Sequence, residues 1–308
     1  MNSKPKAAYK LRKGPDGFHL FFRKTGTNIL FDEVIPPPAQ WTNSPRHVSI
    51  ALTNLCNLQC PHCYATKKKA SLSTEQVKKW MRELDQLGTF GIGFGGGEPT
   101  LHPDLVELCG YGQDETGLSI SLTTNGQNLQ EGLIEALTGK LNFMRISMDG
   151  VDSTYESIRG RSFKQLIEKI RLVEGRIPFG INYVVNQKTI PDLKKGIDIA
   201  SDLGAKEFLL LPEIPFGKGT AVDQGTLKKM TDIIMETEKK LQISISSSHD
   251  HIFDKTIGLQ KEKPLQAFCH IDANGILKAR SFDDAGVDIS NIPFEDGYNK
   301  LKRGVKQQ

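Results

Sequence analysis

The sequence is poor in cysteine and lacks long apolar runs. Five cysteines stand among 308 residues, and no stretch approaches about 18 uninterrupted apolar residues, the length a membrane-spanning helix needs. Nothing is therefore expected to cross a bilayer. The cysteine count is odd, and three of the five crowd between residues 56 and 63, whereas a disulfide framework spreads its cysteines along the chain. A signal-peptide pattern is also missing. Met1 to Lys13 is basic but runs into Gly14-Pro15 instead of an apolar segment, so a cytoplasmic location is expected. Strong charge of one sign is absent too: the formal net charge is +4 with scattered lysines, which reads as a solvated surface and gives no indication of nucleic acid.

What is present has the balance of an ordinary globular chain, with 25% charged and 38% hydrophobic residues, and the length suits one main domain with a small appendage. Gly17 to Glu33 alternates around Lys24-Thr25-Gly26-Thr27 and predicts a β-hairpin, and Pro36-Pro37-Pro38 reads as a linker. Short apolar strands follow at Val48 to Leu52, Phe90 to Phe94, Leu118 to Leu122, Phe143 to Met148, Gly180 to Val185 and Glu207 to Leu211. Amphipathic helices are expected near Thr74 to Leu87, Asp104 to Cys109, Gln130 to Leu137, Phe163 to Glu174 and Pro191 to Leu203, with cap-like residues at Ser73, Ser162 and Thr189. Repeated β-then-α units imply an α/β fold with parallel strands and right-handed crossovers, either a barrel or an open doubly wound sheet. A last long helix is expected near Gly225 to Leu241, followed by a β-like stretch from Gln242 to Ser247 and a second hairpin from Cys269 to Arg280 around Asn274-Gly275. The domain reading is 1–45 for hairpin and linker, 46–248 for the main domain, and 249–308 for a small C-terminal region.

The chemistry concentrates directly after the first main strand, in Cys56-x3-Cys60-x2-Cys63. Thiolates at this spacing can wrap one corner of an iron–sulfur cube, and with three local sulfurs one iron keeps an open position. A structural zinc site with His62 or a distant cysteine as fourth ligand is the alternative, and it predicts a non-enzymatic module. Zinc motifs normally pair two such ligand groups, and no second Cys pair exists in this chain.

The run Cys56-Asn57-Leu58-Gln59-Cys60-Pro61-His62-Cys63-Tyr64 resembles the cluster loop of radical S-adenosylmethionine (SAM) enzymes. Later motifs fall where that family carries them, at the ends of successive strands. Gly95-Gly96-Gly97-Glu98-Pro99 resembles the element that binds the methionine amino group of SAM; taken alone, a glycine triplet is usually a turn. Thr123-Thr124-Asn125-Gly126 and Ser147-Met148-Asp149-Gly150 are similar to segments beside the SAM ribose and carboxylate, and Arg159 of Ile158-Arg159-Gly160 to an arginine that pairs with that carboxylate. By themselves Ser147 and Asp149 also suit a strand-end turn. Asn182 and Leu211 correspond to ribose and adenine contacts. The resemblance implies a partial (β/α)6 TIM-type barrel and one [4Fe-4S] cluster on Cys56, Cys60 and Cys63. It places Tyr64, Gly96, Gly97, Glu98, Asn125, Ser147, Asp149, Arg159, Asn182 and Leu211 about SAM. It also implies an external electron donor such as flavodoxin or ferredoxin, and a 5′-deoxyadenosyl radical that takes hydrogen from substrate.

Phe268-Cys269-His270 through Gly275, with Asp288 to Ile292 after it, resembles the SPASM extension of peptide-modifying and cofactor-maturing relatives, but Ala279 stands where another cysteine would be expected. Only Cys109 and Cys269 remain outside the triplet, too few for a four-cysteine auxiliary cluster. Cys109 reads as core. Cys269 is open to three readings: a catalytic hydrogen-atom donor, a small buried residue, or a vestigial ligand. His270, Glu213, Asp283 and Asp284 are candidate substrate contacts that equally suit a surface. The substrate class implied is a ribosomally made peptide, with a small metabolite such as a sugar, nucleotide or cofactor precursor as the alternative.

Overall fold

Alternation along the strands sorts side chains onto two faces, and this sorting builds the molecule. The computed structural model describes residues 9–66, 68–237, 241–246 and 259–305. β1 (Lys10–Gly14), β2 (Gly17–Phe22) and β3 (Thr27–Phe31) form a small antiparallel sheet. The main sheet sets β4 (His47–Thr53), β5 (Gly91–Gly96), β6 (Ser119–Thr124), β7 (Phe143–Ser147), β8 (Phe179–Val185), β9 (Glu207–Pro212) and β10 (Gln242–Ile245) side by side in chain order, all parallel. Beyond β4 it continues with β11 (Phe268–Ile271), also parallel, then with β12 (Ile276–Lys278) and β13 (Val287–Asp288), both antiparallel to their neighbours. β10 and β13 are the two end strands and do not pair, so the sheet is open.

Eight of the helices follow as α1 (Thr74–Gln86), α2 (Leu105–Glu115), α3 (Glu131–Leu137), α4 (Asp152–Arg159), α5 (Phe163–Val173), α6 (Leu193–Asp202), α7 (Gln224–Glu236) and α8 (Pro264–Ala267). A ninth, α9 (Phe294–Val305), lies after β13. The Ser73 and Ser162 hydroxyls cap α1 and α5 by accepting from the Gln76 and Gln165 amides, as their sequence positions suggest. Thr189 differs: its hydroxyl donates to the Val184 carbonyl at 2.7 Å, and residues 190–192 form a 3-10 turn before α6 begins.

One face of the main sheet is apolar and packs under the helices. Ile50, Phe94, Leu122, Ile146, Ile181 and Leu210 are fully buried there, each stabilising the fold by about 1.5–3 kcal/mol. The residues between them, including Ser49, Gly93, Ser121, Arg145 and Asn182, are only half-buried and line the concave side. The layer is thus one-sided, with large apolar residues beneath the helices and smaller or polar ones on the concave side.

Two expectations change on contact with this architecture. The N-terminal hairpin gains β1 and becomes three-stranded. Its inner face covers the amino ends of β4 to β6: His19 and Phe21 set their rings 4.8 and 5.1 Å from Phe90, and Arg12 donates to the Ser44 hydroxyl and the Gly88 carbonyl. The C-terminal hairpin does not stand apart, because β11 extends the main sheet beside β4. Ser247 and residues 249–258 lie outside the described residues.

Candidate active site

The Cys56–Cys63 loop leaves the carboxyl end of β4, where successive strands of such a sheet present their loops. Glycine lets the next strand come close. A Cβ on Gly97 would lie 2.2 Å from the Leu55 carbonyl oxygen, and Gly96 adopts φ +132° against the Thr53 carbonyl, so neither position tolerates a side chain. The Gly97 and Glu98 amides then donate to the Thr53 and Leu55 carbonyls, both at 2.7 Å, binding the end of β5 to the start of the cysteine loop.

Glu98 is buried and turned toward protein. Its carboxylate accepts from the Thr100 amide and hydroxyl at 3.1 and 2.6 Å, the Thr124 hydroxyl at 2.7 Å and the Asn125 amide at 2.7 Å. It therefore buckles the end of β5 to the end of β6, and its acceptor capacity is largely spent there. Asn125, so fixed, donates through Nδ2 to Asn57 Oδ1 at 2.8 Å and approaches Cys56 Sγ at 3.9 Å.

A second fastening comes from β7 and α4. Asp149 is buried, and one carboxylate oxygen accepts from the Val184 amide at 2.8 Å. The other receives Arg159 Nη2 and, at 3.2 Å, His62 Nε2. Burial pushes the Asp149 carboxyl up, but Arg159, His62 and the Val184 amide outweigh it and hold it well below the usual carboxylate range. Arg159 Nη1 also donates to Cys60 Sγ at 3.4 Å. Cys60 and His62, both in the cysteine loop, are thus held by one buried ion pair. Burial pushes the Cys60 thiol up, with the Arg159 charge opposing.

The remaining candidates are less concentrated. Ser147 and Asn182 are register partners across β7 and β8, and Leu211 pairs with Val184 across β8 and β9. Tyr64 is 47% exposed at the edge of the loop. Sequence reasoning missed the tether role of His62, the Asn57–Asn125 bridge and the Thr124 contact to Glu98. Their types hinted at polar work, but their partners lie up to 87 residues away.

Cys269 faces elsewhere. It pairs with Val48, whose side chain belongs to the helix-covered face, and is itself fully buried in that core. Burial alone pushes its thiol far up. A residue walled into the apolar layer cannot hand a hydrogen atom to a substrate on the other side of the sheet, so the catalytic reading of Cys269 is corrected to the small buried one. Cys109 is also fully buried, its thiol pushed up to about 12 by burial. His270, one position on, lies with Ser49 on the concave side, and burial lowers its imidazole to about 4. Cys269→Ala is expected to leave 5′-deoxyadenosine formation unchanged while costing about 1–2 kcal/mol of stability, read by product chromatography and urea unfolding.

The site can be tested for its fit to a bound group. Arg159 Nε, His62 Nδ1 and Asn182 Oδ1 are buried without hydrogen-bond partners. Orphaned polar atoms of this kind are costly, and here they cluster about the strand ends beside the cysteine loop. Such a donor and acceptor set, next to a glycine edge that carries no side chain, suits a ligand with both carboxylate and sugar groups. Among the described residues no three Cys, His, Asp or Glu side chains converge on a single point. An iron–sulfur cube asks for a different layout, one thiolate on each of three separate irons. The spacing of Cys56, Cys60 and Cys63 suits a cube, and the orphaned polar atoms suit SAM.

Comparison with known proteins adds four findings. A family described as the Radical SAM superfamily matches residues 50–200. The chain is 29% identical over 216 residues to the AdoMet-dependent heme synthase of Methanosarcina barkeri, covering 66% of this chain and 62% of that protein. It is 28% identical over 204 residues to a probable GTP 3′,8-cyclase of Saccharolobus islandicus, covering 63% and 66%. The chain thus spans just under two thirds of the length of these curated relatives. Among solved structures, Streptococcus suis SuiB bound to precursor peptide SuiA superposes with a TM-score of 0.78 at 14% identity, over 98% of this chain and 90% of that one. At that identity the likeness shows the fold alone, a partial barrel of the TIM type.

Proposed function

Since the segment 50–200 places this chain in the radical SAM superfamily, whose members use a [4Fe-4S] cluster and SAM, we propose that it abstracts hydrogen from a peptide or peptide-like substrate. Cys56, Cys60 and Cys63 would hold the cluster, and Arg159, Asn182 and the Gly96–Gly97 edge would receive SAM. When bound, these groups supply one electron to the sulfonium and a 5′-deoxyadenosyl radical to the substrate. The chain's own part is positional. Glu98 and Asp149 clamp the cysteine loop from two sides, and Arg159 keeps a free Nε beside it.

The observation that carries the peptide reading is the outer face of the small sheet. Leu11, Leu20 and Ile29 stand in one cross-strand row and Lys13, Phe18 and Phe31 in another, with Leu11, Ile29 and Phe31 40–55% exposed. Among the described residues β3 is also an unpaired edge, a surface on which an extended chain can add as a strand. SuiB, with which the chain shares its fold, was captured with a precursor peptide. The small sheet covers the amino ends of the main strands, so a peptide held there needs about seven extended residues to reach the cysteine loop.

The small-metabolite reading is favoured by the relatives named as a heme synthase and a GTP cyclase. One experiment divides the two. Peptides selected from a displayed random library on the holoprotein should lose at least about tenfold in affinity when Ile29→Glu and Phe31→Glu are introduced together, measured by fluorescence anisotropy. If no peptide is enriched while GTP or an iron porphyrin precursor of haem stimulates 5′-deoxyadenosine release, the peptide reading is wrong.

A further inference from the structure

Beyond the cysteine loop, the connection from β9 to α7 and the segment after β12 border an open cleft of about 380 Å³. Ile214, Phe216, Val222 and Phe282 wall it, with Glu213 and Arg280 at its lip. No SAM-related motif includes these residues. The cleft adjoins the cysteine loop directly: the Lys218 amide donates to the Cys63 carbonyl at 3.4 Å. Gly217 allows the approach, because at φ +61° its absent Cβ would lie 2.6 Å from Tyr64 Cα.

Its walls are aromatic and come from distant parts of the chain. Phe216 and Phe282 meet with ring centroids 5.6 Å apart and planes inclined by 49°. The Arg280 guanidinium lies 4.9 Å above the Phe282 ring. Neither phenylalanine belongs to the main core, so both keep apolar surface in a concave, open position next to the reacting end. Apolar lining with few polar groups is the usual character of a ligand pocket, and the volume lies at the lower end of the customary 300–1,000 Å³ range.

The charges at the lip narrow the guest. Asp283 accepts from Arg280 Nε and Nη2, both at 2.8 Å, which neutralises that guanidinium. Glu213 is held by Asn186 Nδ2 at 2.7 Å and by the Thr220 amide at 2.8 Å, leaving a net negative lip. A nucleoside triphosphate or a polycarboxylate would meet repulsion there, whereas an uncharged aromatic ring gains edge and face contacts.

We propose that this cleft is the subsite that selects substrate, receiving a large apolar, preferentially aromatic, side chain of a peptide. The assignment rests on the peptide reading of the function and gives that reading a sequence preference. Phe216 and Phe282 set the size and shape of the accepted side chain. Arg280 and Asp283 hold the Phe282 ring in place.

The test uses the reconstituted holoprotein with SAM and four probes: acetyl-Gly-Phe-Ala-Gly-amide, its Phe→Glu counterpart, GTP and haemin. Saturation-transfer NMR should show the phenylalanine ring of the first probe in contact and the glutamate peptide, GTP and haemin unbound. Phe216→Ala with Phe282→Ala should weaken the aromatic probe at least about tenfold, and Phe282→Tyr should retain it; thermal melting identifies any variant that fails to fold. Equal binding to wild type and the double variant, or no binding of the aromatic probe to wild type, overturns the cleft assignment, and library-selected peptides that still bind leave the peptide reading intact. Binding of GTP or haemin, lost in the double variant, overturns the proposed guest and the peptide reading together.

Discussion

Cys60→Ala is expected to lower iron after anaerobic reconstitution from about four per chain to near zero and to abolish 5′-deoxyadenosine formation. Each of the three sulfurs has its own task in a cube, and the described structure brings no substitute to the position. Cys109 and Cys269, the remaining cysteines, are sealed in the helix-covered core and cannot move into the gap. Cys56→Ala and Cys63→Ala should match it, whereas Cys109→Ala and Cys269→Ala should keep full iron. Iron analysis and the brown absorption of the cluster read the result. Thiolates are the ligands, and burial holds the Cys60 thiol up with Arg159 only partly opposing. Reconstitution should therefore slow as pH falls. Full iron in Cys60→Ala would remove the cluster assignment.

Asp149→Asn is expected to destabilise the iron-free protein by about 3–5 kcal/mol, because it leaves the buried Arg159 guanidinium without its counter-charge. The same change loosens His62, so the cysteine loop loses its tether in the one substitution. Urea unfolding with chymotryptic cleavage near Tyr64 as a second probe separates the two effects: global stability drops, and the loop becomes cleavable at lower urea. The pH dependence has a fixed sign. The folded Asp149 carboxyl is held below its ordinary range by Arg159, His62 and the Val184 amide against the opposing effect of burial, so its contribution is complete above about pH 3.9, the ordinary value. It fades as pH falls toward the folded value. The gap between wild type and Asp149→Asn should narrow on the acid side of that range. A gap that stays constant down to acid unfolding would mean that the Arg159 pairing stabilises little.

Much of the β/α order was legible because each strand carries alternating buried positions and each long helix an apolar stripe. The cysteine loop was legible as chemistry from its spacing alone. Other features were set by pairing across distance. Phe268-Cys269-His270-Ile271 has no polar alternation that reveals its faces, and only the pairing of Cys269 with Val48 assigns the thiol to the core and the imidazole to the concave side. β1 was hidden because Lys10, Arg12 and Lys13 read as a basic tail, whereas Arg12 is buried under Ser44 and Lys10 is paired with Asp85. α4 was not expected from periodicity; it is eight residues long with two buried apolar positions, Tyr155 and Ile158. Glu98 drew attention as a ligand contact through its motif, and its bonds to Thr124 and Asn125 became visible only when β5 and β6 stood side by side.

The concave face is rich in glycine and serine, at Ser49, Gly91, Gly93, Ser119, Ser121 and Gly180. Cohesion resides mainly in the opposite layer, beneath the helices, so the serines of this side can be exchanged without entering the apolar core, whereas Gly91 and Gly180 are fixed by neighbouring backbone 2.8 Å from where a Cβ would stand. Alternate residues of the same strands thus carry separate duties: one set holds the architecture together, and its neighbours stand outside that packing, where side chains can be changed without unmaking it.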